Sequence, residues 1–304
     1  MKPFFVFSGQ GAQAVGMGKD LADAFPAAKA RFEEADAVLG YDQSSIMFNG
    51  PAEKLTESRY CQPAIYTMSC AALDAFQEKF PEIKPVACAG LSLGEYAALY
   101  AAGAFPFAEG LKLLARRAEL MDHACRSTSG GMASVLGGDA AVIREVCDGC
   151  GIDVANYNSP GQIVISGEKE KLGKAVDELK ARGMRKVIVL NVAGAFHSRL
   201  MAPAGEALKP VLGTVAMTVP PVPVYHNYTA APAADVTGLK ANLASQVAGS
   251  VRWEECVRAM VAAGGDTMIE FGPGNVLTGL LRRTLPEVPC FNINSVESLD
   301  SLAL

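Results

Sequence analysis

A serine between two glycines is the first feature of this chain that could do covalent chemistry. Residues 90–94 read Gly-Leu-Ser-Leu-Gly and match the pattern G-x-S-x-G, with Ser92 at the centre. In a nucleophile elbow this pattern turns a strand sharply into a helix and leaves the serine hydroxyl exposed at the edge of the sheet. A short apolar strand pattern precedes Ser92 and a helical pattern follows it, so the sequence predicts a nucleophile rather than a plain turn residue.

A serine nucleophile needs a base, and the chain has 3 histidines. His123 lies at the end of a predicted helix, where a cation suits the helix dipole. His226 lies within a predicted strand and is interpreted as a core or surface residue. His197 follows an apolar strand on a loop with small neighbours, where α/β folds place catalytic groups, so we predict that it is the base. No acidic residue between Ser92 and His197 sits clearly at the end of a large-domain strand. This favours a Ser-His dyad oriented by a neutral group or a backbone carbonyl.

Arg117 lies on the apolar face of a predicted helix. Its neighbours three and four positions away are Leu113, Leu114, Leu120 and Met121, which predicts that the guanidinium is buried. Burial of a guanidinium is costly unless it meets an anion. Two alternatives remain open, an internal salt bridge and a bidentate clamp for a substrate carboxylate.

Two further motifs are weak signals for other chemistry. Gly9, Gly11 and Ala14 fit a loosened dinucleotide fingerprint, but no acidic residue follows at the end of a second strand, and the loop is not a P-loop either. The loop could instead offer a backbone N–H to an oxyanion. Cys147 and Cys150 form a single Cys-x-x-Cys without the second pair that a zinc site needs, so we expect reduced thiols in a turn and no metal.

Composition excludes several classes of function. The 304 residues are 50% hydrophobic and 19% charged, with a formal net charge of −5, which is typical of a globular enzyme and argues against general nucleic-acid binding. No apolar stretch reaches the roughly 18 residues of a membrane span. The N-terminal apolar run is too short for a secretory signal and is interpreted as a strand, so we expect a cytoplasmic protein.

The predicted elements mostly alternate between strand and helix, which indicates an α/β fold. In residues 131–192 the predicted order of elements is instead β-α-β-β-α-β, which is the ferredoxin-like order. We therefore expect a large α/β-hydrolase-like domain with a parallel sheet core, formed by residues 1–127 and 195–304. Residues 128–194 are predicted to be an inserted ferredoxin-like small domain.

Taken together, the motifs resemble the malonyl-CoA:acyl carrier protein transacylases over nearly the whole chain. The segments that carry the resemblance occur in the family's order and are FSGQGAQAVGMG, GLSLGEYAAL, RRAELM, ANYNSPGQIVISG, GAFHSRLM and IEFGPGNVLTGLL. The resemblance implies a role for each matching position: Ser92 as the acyl-carrying nucleophile, His197 as its base, Arg117 as the ligand of the malonyl carboxylate, the N–H groups of Gln10 and Leu93 as the oxyanion hole, and the carbonyl of Gln246 as the group that orients the histidine. Phe196 resembles the malonyl-type variant of the histidine loop.

Two positions depart from the family pattern. Leu91 stands where the family usually has a histidine before the nucleophile. That histidine is not the base, so the chemistry should survive, but polar contacts around the malonyl group are put in doubt. Ser8 stands where proline is usual, which suggests a slightly looser opening loop.

The resemblance implies ping-pong transfer of malonyl from malonyl-CoA to the phosphopantetheine thiol of holo acyl carrier protein, for fatty acid synthesis, by a monomer without a cofactor. The alternatives are an acyltransferase that serves a polyketide synthase, a serine hydrolase or thioesterase, and a non-catalytic carrier-binding module. Carrier proteins are usually acidic. Candidate contacts are the basic residues Arg182, Arg185, Lys186 and Arg199, although a solvated face is the ordinary explanation for each of them.

Overall fold

The computed structural model describes residues 1–302, and its strands form two separate sheets. The strands are β1 (Pro3–Phe7), β2 (Ala87–Gly90), β3 (Gly130–Leu136), β4 (Asp153–Ser159), β5 (Gln162–Glu168), β6 (Lys186–Val189), β7 (Val224–Tyr225), β8 (Thr267–Phe271) and β9 (Cys290–Ile293). One sheet is parallel, with the order β7-β2-β1-β8-β9, and the other is antiparallel, with the order β4-β5-β3-β6. The fold is therefore mixed α/β, as expected.

Helices surround both sheets. They are α1 (Lys19–Ala24), α2 (Pro26–Leu39), α3 (Gln43–Asn49), α4 (Ala52–Thr56), α5 (Ser58–Lys79), α6 (Gly94–Ala101), α7 (Phe107–Arg126), α8 (Ala140–Cys150), α9 (Lys169–Ala181), α10 (Ala202–Thr214), α11 (Val236–Gln246), α12 (Trp253–Ala262), α13 (Val276–Thr284) and α14 (Val296–Asp300), with a 3-10 turn at Arg199–Met201. Among residues 1–302, none of the helices combines the length and apolarity that a membrane crossing requires.

The parallel sheet is buried on both faces, because β1 is apolar throughout. Phe5 and Phe7 pack into the core on one face, and Phe4 and Val6 into the core on the other. Such continuous apolar runs are typical of parallel strands covered by helices. β1 and β2 are neighbours and run in the same direction, so the loop after β1 and the elbow after β2 meet at one edge of the sheet.

The antiparallel sheet has an apolar core of its own. α8 and α9 pack against each other and cover one face of the sheet, where Ala133, Ile143, Ile165 and Leu179 are buried. β6 leads directly into the segment that carries His197. His197 therefore lies on the segment that connects the antiparallel sheet to α10.

The structure differs from the sequence-based expectation in the bounds of one helix and one strand and in several additional helices. The apolar pattern predicts a single helix over residues 18–39, but the structure has two helices there. The break precedes Pro26, which begins α2 because proline suits a first helical turn. The strand expected over residues 221–230 is reduced to Val224–Tyr225 at the edge of the sheet, since the prolines beside it cannot donate ladder hydrogen bonds. The apolar pattern does not predict α3, α4, α10, α11 or α14.

Candidate active site

Ser92 occupies a sharp turn between β2 and α6. Its φ angle is 54°, in the left-handed region that residues with a side chain rarely adopt. The turn is possible because Gly94 lies against the end of β1, where an added Cβ would collide with the Phe7 carbonyl. Strand, strained serine and helix are the context that a nucleophile elbow requires, and this turn aims the hydroxyl away from the sheet.

His197 lies within hydrogen-bond distance of the serine although the two are far apart in the sequence. Ser92 Oγ is 2.8 Å from His197 Nε2. On the other side of the ring, Nδ1 lies 2.8 Å from the carbonyl oxygen of Gln246. This second bond places the proton on Nδ1 and leaves Nε2 free to accept the serine proton. The pair is a dyad oriented by a backbone carbonyl, the geometry that the scarcity of well-placed acids favoured.

The imidazole of His197 is held in its neutral form. Burial, followed by the positive charge of Arg117, lowers the pKa of His197 to about 4, while its hydrogen bond to the Gln246 carbonyl opposes this shift. A histidine with this pKa is deprotonated at neutral pH. It can therefore act as a base without first losing a proton to solvent.

Arg117 is 1% exposed, and its hydrogen bonds go to neutral groups. Its Nη1 donates to Gln62 Oε1 at 2.6 Å, and its Nη2 donates to Gln246 Oε1 at 3.0 Å and to Ser92 Oγ at 3.1 Å. Burial lowers the pKa of Arg117. Among residues 1–302, no carboxylate forms an ion pair with it. The salt-bridge alternative therefore has no support, and a cation without a direct counterion points at the serine hydroxyl.

Gln10 and Leu93 lie on the two loops that meet at the edge of the parallel sheet. Gly9 packs directly against the backbone and side chain of Leu91, which brings the loop after β1 onto the elbow. Leu93 is the N-cap of α6. Within residues 1–302, neither the N–H of Gln10 nor that of Leu93 donates a hydrogen bond. Both donors are thus available, and the positive end of the α6 dipole favours negative charge beside Leu93.

Four polar residues of the site were not identified as functional from the sequence. Gln62 holds the guanidinium of Arg117, and Asn227 accepts the Ser92 N–H at 2.6 Å. Glu95 and His226 form a fully buried pair, with 2.6 Å between a carboxylate oxygen and Nδ1. Glu95 was visible as a charge in the apolar helical pattern after the elbow, which is the kind of signal that singled out Arg117. The others gave no such signal.

The loop that carries His197 is clamped to the antiparallel sheet. Arg199 donates to the carboxylate of Asp153 on β4 through its backbone N–H, at 2.8 Å, and through its guanidinium, at 2.7 Å.

A cleft of about 330 Å³, lined in part by Tyr157 and Tyr228, opens beside His197. A larger surface cavity of about 630 Å³ lies on the outer face of α7 and contains none of the predicted site residues.

The two departures from the family pattern have different structural consequences. Leu91 packs against the apolar core on one face of the parallel sheet and against Gly9, so it contributes packing rather than a polar contact. Ser8 donates its hydroxyl to the Pro273 carbonyl at 2.9 Å and its N–H to the Phe271 carbonyl at 3.2 Å. Proline could make neither bond, so the opening loop is tied down here rather than loosened.

Cys147 and Cys150 lie within the last helical turn of α8, whereas the sequence analysis expected them in a turn. Burial raises the pKa of Cys147 to about 12 and also raises that of Cys150. Thiols with raised pKa values form few thiolates, so neither is expected to be reactive. All 8 cysteines are free in the structure.

Known proteins resemble this chain over nearly its whole length. The acyl transferase domain family matches residues 4–302. The malonyl CoA-acyl carrier protein transacylase of Bacillus subtilis is 40% identical, covering 97% of this chain and 94% of the relative. An acyl carrier protein S-malonyltransferase structure from Vibrio cholerae superposes with a TM-score of 0.96 at 36% identity, covering 100% of both chains.

A further solved structure holds a malonyl-transacylase in complex with a type II PKS acyl-carrier protein. It superposes with a TM-score of 0.96 at 36% identity and covers 99% of this chain and 98% of the other. The resemblance inferred from the sequence motifs is confirmed by these matches. The chain therefore belongs to the acyl transferase domain family and, within it, to the malonyl CoA-acyl carrier protein transacylases.

Proposed function

We propose that this enzyme transfers the malonyl group of malonyl-CoA to the phosphopantetheine thiol of holo acyl carrier protein, through a malonyl ester of Ser92. The observation that carries the proposal is the buried guanidinium of Arg117, 3.1 Å from the Ser92 hydroxyl. A carboxylate on a short acyl group is the substrate feature that such a cation recognises. Names of relatives agree with this substrate class.

The proposed reaction has two half-reactions on the same dyad. His197 Nε2 takes the Ser92 proton as Oγ attacks the thioester carbonyl, and the N–H groups of Gln10 and Leu93 would hold the oxyanion, each contributing roughly 3–4 kcal/mol in comparable sites. The tetrahedral intermediate expels CoA as the thiol, with the proton from His197. The phosphopantetheine thiol then attacks the ester, His197 takes its proton, and Ser92 leaves with that proton.

Transfer rather than hydrolysis requires that water be poorly placed beside the ester. We propose that Arg117 pins the malonyl carboxylate and so fixes the ester, while the cleft beside His197 admits the phosphopantetheine arm. Arg185 and Lys186 form no ion pair within residues 1–302 and could meet an acidic carrier, whereas Arg182 and Arg199 already pair with acidic residues.

The direct test is a single assay with malonyl-CoA, with and without holo carrier protein. We expect malonyl-carrier to form in the presence of the carrier, and free malonate to appear far more slowly in its absence. Malonate release at the rate of thiol transfer would instead indicate a hydrolase. Comparing a fatty acid carrier with a polyketide carrier as acceptor would separate the main proposal from the polyketide alternative, because both use the same residues.

The pH dependence should differ between the two half-reactions. In the free enzyme the pKa of His197 is about 4, so kcat/KM for malonyl-CoA should be flat near neutrality and fall only as pH approaches that value, where the base becomes protonated. In the malonyl-enzyme the carboxylate neutralises Arg117 and removes a charge that lowers this pKa. The acid limb of kcat/KM for the carrier should therefore lie at higher pH. An acetyl-enzyme, which has no carboxylate, is the control, and coincident limbs for malonyl and acetyl would contradict the assignment of Arg117.

We also propose the finer architecture expected from the sequence, a ferredoxin-like small domain of residues 128–194 inserted into an α/β-hydrolase-like large domain of residues 1–127 and 195–304. The strand order β4-β5-β3-β6 and the helices between those strands support the small domain. Its separate apolar core supports the division. The insert ends just before His197, so it would set the position of the base relative to Ser92.

We further propose that the enzyme acts as a monomer in the cytoplasm. Ser92, His197, Arg117 and Gln246 all come from one chain, so the site needs no second copy. The free cysteines agree with a reducing compartment.

A further inference from the structure

Glu95 is a buried carboxylate one helical turn after Ser92. It is 0% exposed, and such a charge is costly unless hydrogen bonds or opposite charges compensate it. One carboxylate oxygen lies 2.6 Å from His226 Nδ1. The other accepts two bonds of 2.8 Å, from the Asn227 N–H and from the side-chain amide of Gln246. Both carboxylate oxygens of Glu95 therefore form hydrogen bonds with residues that surround Ser92 and His197.

Two of these partners hold the serine elbow. The Asn227 side chain accepts the Ser92 N–H at 2.6 Å and donates to the Gly90 carbonyl at 2.8 Å. The Gln246 amide donates to Glu95 and also to the Ser92 carbonyl, at 2.9 Å. Residues that form hydrogen bonds with Glu95 therefore hold the backbone of the elbow both before and after Ser92.

The same carboxylate acts on the base through Gln246. The backbone carbonyl of Gln246 orients His197, and its side-chain oxygen accepts from Arg117 at 3.0 Å. The amide of Gln246 thus lies between the positive Arg117 and the negative Glu95. The carboxylate of Glu95 raises the pKa of His197 against burial and Arg117, which lower it. Other charged groups near this histidine are Arg144, Asp148 and Asp153, which line the cleft.

We propose that Glu95 is a positioning residue for acyl transfer, whose buried carboxylate fixes the Ser92 elbow and the Gln246 carbonyl and supplies the countercharge to Arg117. The inference rests on the proposed function. Its chemical consequence follows from the charge that develops during transfer. His197 becomes an imidazolium when it takes the serine or thiol proton, and a nearby fixed negative charge stabilises that imidazolium.

The test is Glu95→Gln, which removes the charge with little change in shape. The new amide can accept from Asn227 and Gln246 and donate to His226 Nδ1, so the bonds can persist if His226 carries its proton on Nε2. We expect kcat for malonyl transfer to fall about tenfold or more, while KM for malonyl-CoA does not rise. The acid limb of kcat/KM for the carrier should move to lower pH, because the Glu95 charge raises the pKa of His197.

Glu270→Gln is the matched control. Glu270 is also 0% exposed and lies on β8, where it accepts from the N–H of Leu277 and from the N–H and hydroxyl of Thr278, at 3.0, 2.8 and 2.7 Å, and these donors belong to α13 rather than to the dyad network. This variant should lower the melting temperature and leave kcat, KM and the acid limb unchanged. A Glu95→Gln enzyme with an unmoved acid limb would overturn the proposal, because loss of structure alone explains a lower kcat.

Two further experiments apply if the Glu95→Gln protein does not fold or if the wild-type enzyme shows no activity with malonyl-CoA. Should Glu95→Gln not fold, Glu95→Asp retains the charge at a shorter reach, and we expect a lower kcat with an unchanged acid limb. An unchanged kcat would refute the positioning role.

Should the wild-type enzyme release no CoA from malonyl-CoA, the proposed function fails. Titration of the His197 resonance by NMR in wild type and Glu95→Gln would still decide the effect of the charge, and equal pKa values would overturn it.

Discussion

Ser92→Ala is expected to abolish the malonyl-enzyme and to reduce malonyl transfer by roughly 10⁴-fold or more. The hydroxyl is the group that would form the ester, and it lies 2.8 Å from Nε2 of His197, the proposed base. The remaining N–H donors can still polarise a thioester, but they cannot store the acyl group between substrates. Mass spectrometry of the intact protein after incubation with malonyl-CoA measures the adduct, and transfer to holo carrier protein measures the rate.

Ser166→Ala is the matched control for this experiment. Ser166 is 0% exposed, lies on β5 of the antiparallel sheet, and its hydroxyl has no partner among the described residues. Its loss should leave both the adduct and the rate unchanged. A malonyl adduct of undiminished yield on the Ser92→Ala protein would place the nucleophile elsewhere and remove the elbow from the mechanism.

Local signals in the sequence were sufficient to predict the elbow geometry at Ser92 and the burial of Arg117. The elbow is encoded in five consecutive residues, since glycines on either side of Ser92 permit both the left-handed turn and the close approach of α6 to β1. Arg117 was found because helical periodicity placed a charge on an apolar face. Both predictions depend only on neighbours within about one turn of helix or the end of one strand.

Residues whose role depends on distant partners could not be predicted in the same way. Asn227 is 135 residues from Ser92, which donates to it, and His226 is 131 residues from Glu95. Such contacts are created by β7 lying beside β2, and β7 is only two residues long. A strand so short leaves almost no alternating pattern, so its register, and with it the position of His226, is set by tertiary packing.

The fold was predictable where a strand is continuously apolar and unpredictable where a helix lacks a clear apolar stripe. β1 reads as a buried strand because the sequence PFFVF is apolar throughout. By contrast, α11 has polar and small residues around much of its surface, yet it ends at Gln246, whose side chain is fully buried. Gln246 was assigned only through the family resemblance, and the bond from its carbonyl to His197 follows from where that helix ends.

Arg117→Ala is expected to lower kcat/KM for malonyl-CoA by roughly 100-fold or more, while the value for acetyl-CoA changes little. The physical reason is the loss of a charge-assisted, buried contact that only an acyl group with a carboxylate can make. Competition between malonyl-CoA and acetyl-CoA, read from the masses of the two acyl-enzymes, gives the preference directly. The ratio should shift strongly towards acetyl.

Arg116→Ala is the control, since it is the adjacent residue on the same helix. Arg116 is exposed and pairs with Glu119 at 2.7 Å, so its removal should leave the preference unchanged. Arg117→Lys separates charge from geometry, because lysine keeps the cation but cannot donate in a bidentate fork. We expect it to recover only part of the malonyl preference. An unaltered preference in Arg117→Ala would mean that the carboxylate binds elsewhere.

The position of Arg117 also limits the length of the acyl group. Its Nη2 lies 3.1 Å from Ser92 Oγ, and Gln62 and Gln246 hold the guanidinium in place from both sides. In a malonyl ester the carboxylate is one methylene from the ester carbonyl, so a cation this close to the ester oxygen can reach it. A succinyl ester adds a further methylene and would have to fold back. We therefore expect the wild-type enzyme to favour malonyl-CoA over succinyl-CoA, and Arg117→Ala to lose this discrimination together with the discrimination against acetyl-CoA.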